Sequence, residues 1–106
     1  MFFEFRQYRI KDGKRDEWVK LMEEEVIPFQ ISKGMVVVGS FIGTDEPDLY
    51  VWIRRFDSEE QRALLYQAVY ESDEWLHVLK PRVDTMLDRP RIVVTKIEPT
   101  SRSVIR

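Results

Sequence analysis

The chain has 106 residues, of which 43% are hydrophobic and 34% are charged. This length and balance fit one globular domain with a single core, and they exclude a disordered chain or two ordinary domains. Seventeen basic and nineteen acidic residues give a formal charge of −2, which creates no field that attracts nucleic acid or an anionic membrane. We therefore expect neither partner.

The chain contains no cysteine, which excludes disulfides, thiolate metal sites and a cysteine nucleophile. Charged residues occur within the first six positions, beginning with Glu4, unlike a secretory h-region or a transit peptide. No stretch approaches the roughly 20 apolar residues of a membrane span. We therefore expect a cytoplasmic protein that does not contact a membrane.

The first half of the chain predicts a strand, a helix and a hairpin. Residues 2–10 alternate loosely and are rich in aromatic side chains, which is typical of a strand. From Lys14 the apolar residues recur at helical intervals, until Pro28 kinks or ends the helix. Residues 35–43 form a β-branched apolar run that suits a strand covered on both faces, and residues 49–56 form its hairpin partner.

The second half predicts further helices and a last strand. Ser58 and Gln61 have the spacing of a capping box, which places a helix from Glu59 to about Tyr70. Ser72 indicates a second helix start, and Pro81 indicates a break in that helix. Residues 91–97 alternate as a last strand. Residues 1–98 are thus one domain, and residues 99–106 are a basic tail that we expect to be mobile.

The element order β-α-β-β-α-β is the split βαβ arrangement of ferredoxin-like α+β domains. It predicts a four-stranded antiparallel sheet with helices on one face only. We expect the uncovered face to carry side chains such as Glu4, Tyr8, Trp52 and Phe56, which are too apolar to face water. Packing of a second copy sheet to sheet removes that exposure. The sequence therefore predicts a homodimer.

Four segments resemble a known family. Residues 4–13, EFRQYRIKDG, are similar to the opening E-x-R-x-Y-x-(apolar)-x-x-G of NIPSNAP domains. Residues 38–41 (VGSF), 52–58 (WIRRFDS) and 70–75 (YESDEW) resemble later segments of the same family. The resemblance covers residues 2 to about 98. In many members the position of Trp52 is a histidine and that of Arg54 a tryptophan, so a role built on that histidine does not carry over to this chain.

The NIPSNAP resemblance implies a dimeric α/β barrel. Relatives with that fold include cofactor-free monooxygenases, haem-degrading enzymes and many uncharacterised proteins, and animal NIPSNAP members are linked to vesicle traffic and mitochondrial signalling. A fold does not settle a function. The resemblance carries no catalytic residue over to this chain.

The leading candidates for a ligand site in the barrel cavity are Arg6, Tyr8, Trp52 and Arg54. The two arginines would bind or polarise an oxyanion, Tyr8 would donate a hydrogen bond, and Trp52 would form a wall. Glu4 would orient Arg6. In the alternative interpretation, Glu4 and Arg6 form a buried or interfacial ion pair that holds the dimer together and needs no ligand.

His77, the one histidine, lies on the Trp75 helix beside an apolar stripe. It is a candidate general acid or base, or else a surface or capping residue. No second histidine or cysteine accompanies it, and no glycine-rich dinucleotide or P-loop motif occurs. We therefore expect no metal and no cofactor.

Two functional hypotheses remain. The first is a homodimer that binds a compact aromatic or carboxylated metabolite between sheet and helices, with cofactor-free oxygenase or isomerase activity as its enzymatic form. The alternative is a non-enzymatic interaction or regulatory module, whose dimer surface and tail, with Arg102 and Arg106, recruit another protein. An open cavity lined by the candidate residues favours the first hypothesis, and a filled interior favours the second.

Overall fold

The protein, described over residues 1–106 by a computed structural model, is built on one sheet of four strands. These strands are β1 (Phe2–Arg9), β2 (Val36–Ile42), β3 (Leu49–Phe56) and β4 (Val93–Ile97). They lie in the order β2-β3-β1-β4, and every neighbouring pair is antiparallel. This arrangement confirms the predicted ferredoxin-like α+β fold and its β-α-β-β-α-β order.

The helices lie in the connections from β1 to β2 and from β3 to β4. The first connection holds α1 (Arg15–Leu21), a π-helical segment (Met22–Val26) and α2 (Ile27–Ser32). The second holds α3 (Glu59–Tyr70), another π-helical segment (Glu74–Leu79), α4 (Lys80–Asp84) and a 3₁₀ turn (Arg89–Arg91). None of these helices has the length and hydropathy needed to cross a membrane.

Two prolines change the helix register without interrupting the helices. Pro28 is the second residue of α2 and Pro81 the second residue of α4, and a π-helical segment precedes each of these helices. Proline has no amide hydrogen and crowds the preceding turn, and a local switch to the wider π register accommodates that loss. The helix continues through Pro81, so the predicted break there is wrong.

The helices cover the face that carries the even-numbered residues of β1 and β3. Tyr8 and Trp52 belong to one buried cluster with the helical residues Trp18 and Trp75. The expectation that Glu4, Tyr8, Trp52 and Phe56 lie on the uncovered face is therefore wrong. Alternation separates the two faces of β1, but both faces carry aromatic side chains, so it does not indicate which face the helices cover.

The uncovered face of the sheet, called the open face below, is also apolar. Its rows of paired residues run across the strands, and its side chains are Phe3, Phe5, Gln7, Val36, Phe41, Val51, Ile53, Arg55, Val93, Thr95 and Ile97. Phe41 and Val93, at its two edges, are 52% and 51% exposed. β2 is an edge strand that pairs only with β3, and none of its residues is buried. The prediction that β2 is covered on both faces is therefore wrong.

Residues 99–106 contain neither helix nor strand. A surface cavity of about 300 Å³ is lined by Phe3, Ile53 and Ile97 of the sheet together with Pro99 and Ile105. This segment therefore starts beside the open face. Its mobility stays a prediction.

The cap of α3 is close to the predicted capping box. Ser58 Oγ accepts a hydrogen bond from the Gln61 backbone N–H at 3.0 Å. The Gln61 side chain accepts from the backbone N–H of Asp57 at 2.6 Å, one residue earlier than in a standard capping box. Ser72 Oγ likewise accepts from the Trp75 backbone N–H at 3.2 Å. Both serines are therefore capping residues.

Replacing Ser58 tests its capping role at the start of α3. We expect Ser58→Ala to lower the free energy of unfolding by about 1 kcal/mol, because the first turn of α3 loses its side-chain acceptor. Urea unfolding measures the change. Ser101→Ala, at an exposed serine outside any helix or strand, is the matched control and should leave stability unchanged. Equal stability of the two variants would refute the capping role.

Candidate functional site

A cavity of about 130 Å³ lies between the covered face of the sheet and the helices. Nine of its thirteen lining residues are hydrophobic: Tyr8, Trp18, Met22, Val26, Trp52, Tyr70, Trp75, Val83 and Leu87. The other four are Arg6, Gln30, Lys80 and Arg89. The interior is therefore not filled, and aromatic rings dominate its walls.

Strand register brings three of the four leading candidates to this cavity. Arg6 of β1 is paired with Trp52 of β3, and Tyr8 follows two residues after Arg6 on the same face. The Trp52 ring lies edge-on to Tyr8, with ring centroids 6.2 Å apart. Its centroid is also 4.7 Å from Cζ of Arg54. Trp52 is thus the wall between the cavity and Arg54.

Arg6 is the charged group that the sheet presents to the cavity. Its side chain is 14% exposed, and its Nε donates to the Tyr8 hydroxyl at 2.9 Å. Its Nη1 makes longer contacts of 3.4 Å with Glu4 Oε1 and with the Tyr66 hydroxyl. The Nη2 group has no hydrogen-bond partner in the protein. Part of this guanidinium is therefore free to bind an anion.

Arg54 is completely buried and does not line the cavity. Its Nη1 donates to Gln30 Oε1 at 2.8 Å and to the Tyr70 hydroxyl at 2.7 Å. Its Nη2 donates to Glu4 Oε1 at 2.8 Å and to the Tyr66 hydroxyl at 3.1 Å. Arg54 therefore ties β3 to β1, α2 and α3, and its terminal nitrogens have no capacity left for a ligand.

Glu4 is the acidic partner of this network and also lies outside the cavity lining. Its carboxylate accepts from Arg54, from Arg6, from Arg62 Nη1 at 3.2 Å and from the Tyr66 hydroxyl in a short contact. Burial alone raises the pKa of Glu4, but Arg54, the Tyr66 hydrogen bond and Arg6 together lower it below its usual value. The Glu4 carboxylate thus forms ion pairs with three guanidinium groups.

Tyr66 completes the network as a neutral phenol. Burial raises its pKa to about 12, with the hydrogen bond to Glu4 acting in the same direction and Arg54 opposing it. Tyr66 therefore keeps its proton at neutral pH and donates it to Glu4. The predicted Glu4–Arg6 pair lies within a single chain, as part of this larger network.

His77 lies away from the cavity. Its side chain is 74% exposed, and its nearest charged partner is Asp73, with 3.9 Å from Nε2 to Oδ1. It does not line the cavity. The structure therefore does not bring the candidate acid or base to the candidate binding residues.

Several lining residues were missed from the sequence. Trp18 and Trp75 lie among the regularly spaced apolar residues of their helices, a position typical of core residues, and each is both core and cavity wall. Gln30, Lys80 and Arg89 carry no sequence signal, because their place in the cavity lining depends on how the helices pack. A cluster of three or more potential metal ligands does not occur.

The polar groups of the cavity are donors of hydrogen bonds. Trp18 and Trp52 both line the cavity, and their indole N–H groups are buried and have no acceptor in the protein. The hydroxyl oxygens of Tyr8 and Tyr70 each accept from an arginine, which leaves each O–H as a donor. No aspartate, glutamate or histidine lines the cavity. The cavity is thus suited to a molecule that supplies acceptors.

Acid titration tests the state of Glu4. Because the pKa of Glu4 is lower in the folded chain, the unfolded chain binds more protons as the pH falls below 4.5. The stability from Glu4 is therefore complete above that pH and is lost as the pH falls through the folded-state pKa. We expect Glu4→Gln to reduce this acid-side loss of unfolding free energy, measured by urea unfolding across the range.

Glu60→Gln is the matched control, because Glu60 is exposed on α3 and forms no ion pair. It should keep the acid-side slope of the parent chain. Glu4→Gln leaves Arg54 unpaired and can unfold the protein for that reason alone. In that case the double variant Glu4→Gln, Arg54→Met, which lacks both charges, is titrated instead. An unchanged slope in the variants that lack Glu4 would contradict its ionised state.

Comparison with known proteins places the chain in a family. The NIPSNAP family model matches residues 3–101. No curated protein matches. A NIPSNAP family protein from Agrobacterium tumefaciens has 27% identity and a TM-score of 0.87, with 99% of this chain and 98% of that chain covered. A second one from that organism, of unknown function, has 27% identity and a TM-score of 0.90, with 100% and 94% covered.

A more distant likeness concerns the fold alone. A solved antibiotic biosynthesis monooxygenase is 18% identical, with 94% of this chain and 99% of that chain covered and a TM-score of 0.67. The family match, in contrast, extends over nearly the whole chain and confirms the resemblance seen in residues 4–13 and the later segments. The chain belongs to the NIPSNAP family.

Proposed function

We propose that the protein binds a compact aromatic carboxylate in the cavity, with Arg6 holding the carboxylate. The observation that carries this proposal is that an aromatic-walled cavity offers buried hydrogen-bond donors and no acidic side chain. A buried donor without an acceptor costs roughly 1–3 kcal/mol, so a ligand that supplies acceptors is stabilised there. These groups belong to the folded chain itself, so the proposal does not depend on the family.

The size of the cavity limits the ligand to about one ring. Its volume is about 130 Å³. An apolar cavity of roughly 150 Å³ is known to accept benzene in another protein. Edge-on rings are the preferred neighbours of a bound ring, and Tyr8 with Trp18 and Tyr70 with Trp75 already pack edge-on along the walls. A single aromatic ring therefore fits this site better than a larger metabolite.

The charge of the network favours a carboxylate over a neutral group. Arg6 shares Glu4 with Arg54 and Arg62, so positive charge exceeds negative charge beside the cavity. The planar guanidinium of arginine matches the two oxygens of a carboxylate. A ligand carboxylate on Arg6 would offset this excess at a site that is largely hidden from water.

Binding is better supported than catalysis. The lining has no carboxylate or imidazole to take a proton, and His77 lies elsewhere. The likeness to the monooxygenase concerns the fold and supplies no reaction. Cofactor-free oxygenase or isomerase activity stays a prediction. Oxygen uptake by the protein in the presence of an aromatic acid would demonstrate the oxygenase activity.

Self-association is a second proposal, carried by the open face. Phe41, Val51, Gln7 and Val93 form one row across the four strands, and the two ends of the row are about half exposed. An apolar face of this extent is stabilised when a second copy covers it. The non-enzymatic interaction module would use this same surface, which makes the oligomeric state informative for both hypotheses.

Ligand binding is tested with benzoate as the probe. We expect benzoate to raise the melting temperature of the parent chain, because a ligand that binds only the native state stabilises it by mass action. Benzamide, a neutral molecule of the same shape, should give a smaller shift. Arg6→Met should weaken benzoate binding by about tenfold or more, since a charge-assisted hydrogen bond contributes ~1.5 kcal/mol or more.

The matched control is Arg55→Met, because Arg55 lies on β3 with its side chain on the open face and pairs only with Asp57. It should bind benzoate as the parent chain does. Equal shifts for benzoate and benzamide, or equal losses in the two arginine variants, would contradict the carboxylate site.

The dimer is tested by changing one edge of the open face. We expect the parent chain to be a dimer by light scattering and Phe41→Glu to be a monomer, because the charge would be buried unpaired in the interface. Leu64→Glu is the control, since Leu64 is 63% exposed on α3 and lies outside the open face. A monomeric parent chain would refute the proposal.

A further inference from the structure

The cavity has a second cationic group that the proposed carboxylate on Arg6 leaves unused. Lys80, the first residue of α4, and Arg89, in the 3₁₀ turn before β4, both line the cavity. Their side chains are 42% and 43% exposed, so both reach solvent as well as the cavity. With Arg6 they are the only charged side chains of the lining, and all three are positive.

One carboxylate serves both of these cations. Lys80 Nζ lies 2.8 Å from one oxygen of Asp84, and Arg89 Nε lies 2.5 Å from the other. The Lys11 ammonium group adds a third positive charge nearby, because it donates to the Asp84 backbone carbonyl at 3.4 Å. The Asp84 group therefore carries excess positive charge, as the Glu4 network does.

The two cationic groups are separate. No hydrogen bond or ion pair joins Arg6 or its partners to Lys80, Arg89 or Asp84. Arg6 projects from the sheet, whereas Lys80 and Arg89 come from the segment between α3 and β4. The rest of the lining is aromatic and aliphatic apart from Gln30, whose side-chain oxygen already accepts from Arg54. An apolar enclosure thus carries a cationic group on the sheet and another on the helical side.

We propose that the ligand is a compact aromatic dicarboxylate, with one carboxylate on Arg6 and the second on Lys80 and Arg89. This inference rests on the proposed function and adds the second acidic group to it. The ring occupies the apolar part of the cavity. The second carboxylate binds near the half-exposed side chains, where water still reaches it, so its desolvation costs less than burial beside Arg6 would.

The alternative explanation is that Lys80 only forms a structural ion pair and does not contact a ligand. Lys80 and Asp84 are four residues apart on α4, a spacing that commonly gives a surface pair of small energetic value. That account explains one cation for Asp84. It does not explain why a second cation, Arg89, shares the same carboxylate and also lines the cavity.

The test is calorimetric titration of the full chain with benzoate, isophthalate and terephthalate at fixed ionic strength. We expect at least one dicarboxylate to bind about tenfold more tightly than benzoate, since it adds a second charge-assisted contact. Lys80→Met should remove this advantage, so that the dicarboxylate binds no more tightly than benzoate binds to the same variant, because one of the two cations that hold the second carboxylate is gone. Arg89→Met should act in the same way for the same reason.

Lys14→Met is the matched control, because Lys14 also pairs with a nearby acid, Glu17, on an exposed helix start. It should keep the dicarboxylate advantage. Benzoate binding that depends on Arg6, with no dicarboxylate binding more tightly, would overturn this inference and leave the proposed function standing. Failure of all three acids to bind would overturn both. Equal loss of benzoate and dicarboxylate binding in Lys80→Met would also overturn the second carboxylate contact.

Discussion

The buried contact between Arg54 and Glu4 determines what kind of site this domain can have. Arg54 is fully buried, and its terminal nitrogens donate to Glu4, Gln30, Tyr66 and Tyr70. Removing one partner of such a buried pair typically costs ~3–5 kcal/mol, because the remaining charge is left uncompensated. The pair therefore holds β1, β3, α2 and α3 in one arrangement.

The same contact accounts for the chemistry of the cavity. Arg54 engages the oxygens of Gln30 and Tyr70, the lining side chains nearest to it, and Arg6 engages the oxygen of Tyr8. With those acceptors occupied, the cavity retains hydroxyl, indole and guanidinium donors. The structural network and the proposed anion site thus have one physical origin. The open face lies on the other side of the sheet, so the proposed ligand site and the proposed self-association surface do not overlap.

Most of the fold could be predicted from the sequence, because its signals are local. The alternation in residues 49–56, the cap at Ser58 and the extent of α3 depend on neighbouring residues and were predicted closely. The side of the sheet that the helices cover was not, since Phe3 and Phe5 make the open face as apolar as the covered one. The continuation of the helix through Pro81 was missed because a π register has no reliable sequence signature.

The candidate site was predicted in part for the same reason. Arg6, Tyr8 and Trp52 were grouped together, because alternation puts Arg6 and Tyr8 on one face of β1 and Trp52 on one face of β3; their pairing register is known only from the structure. Arg54 belongs to the same face, yet its burial behind Trp52 depends on Tyr66 and Tyr70 of α3. Lys80 and Arg89 reach the cavity only through the packing of the second connection, which no local pattern indicates.

The most direct test of the account observes the unpartnered donors themselves. The indole N–H signals of Trp18 and Trp52 can be followed by nitrogen-15 NMR while benzoate is added, in the parent chain and in Arg6→Met. The account predicts that both signals change with benzoate in the parent chain and that the changes weaken in the variant. The benzoate concentration should be raised well above the one used in the melting-temperature experiment. Indole signals that stay constant up to that concentration would contradict an anion site in this cavity.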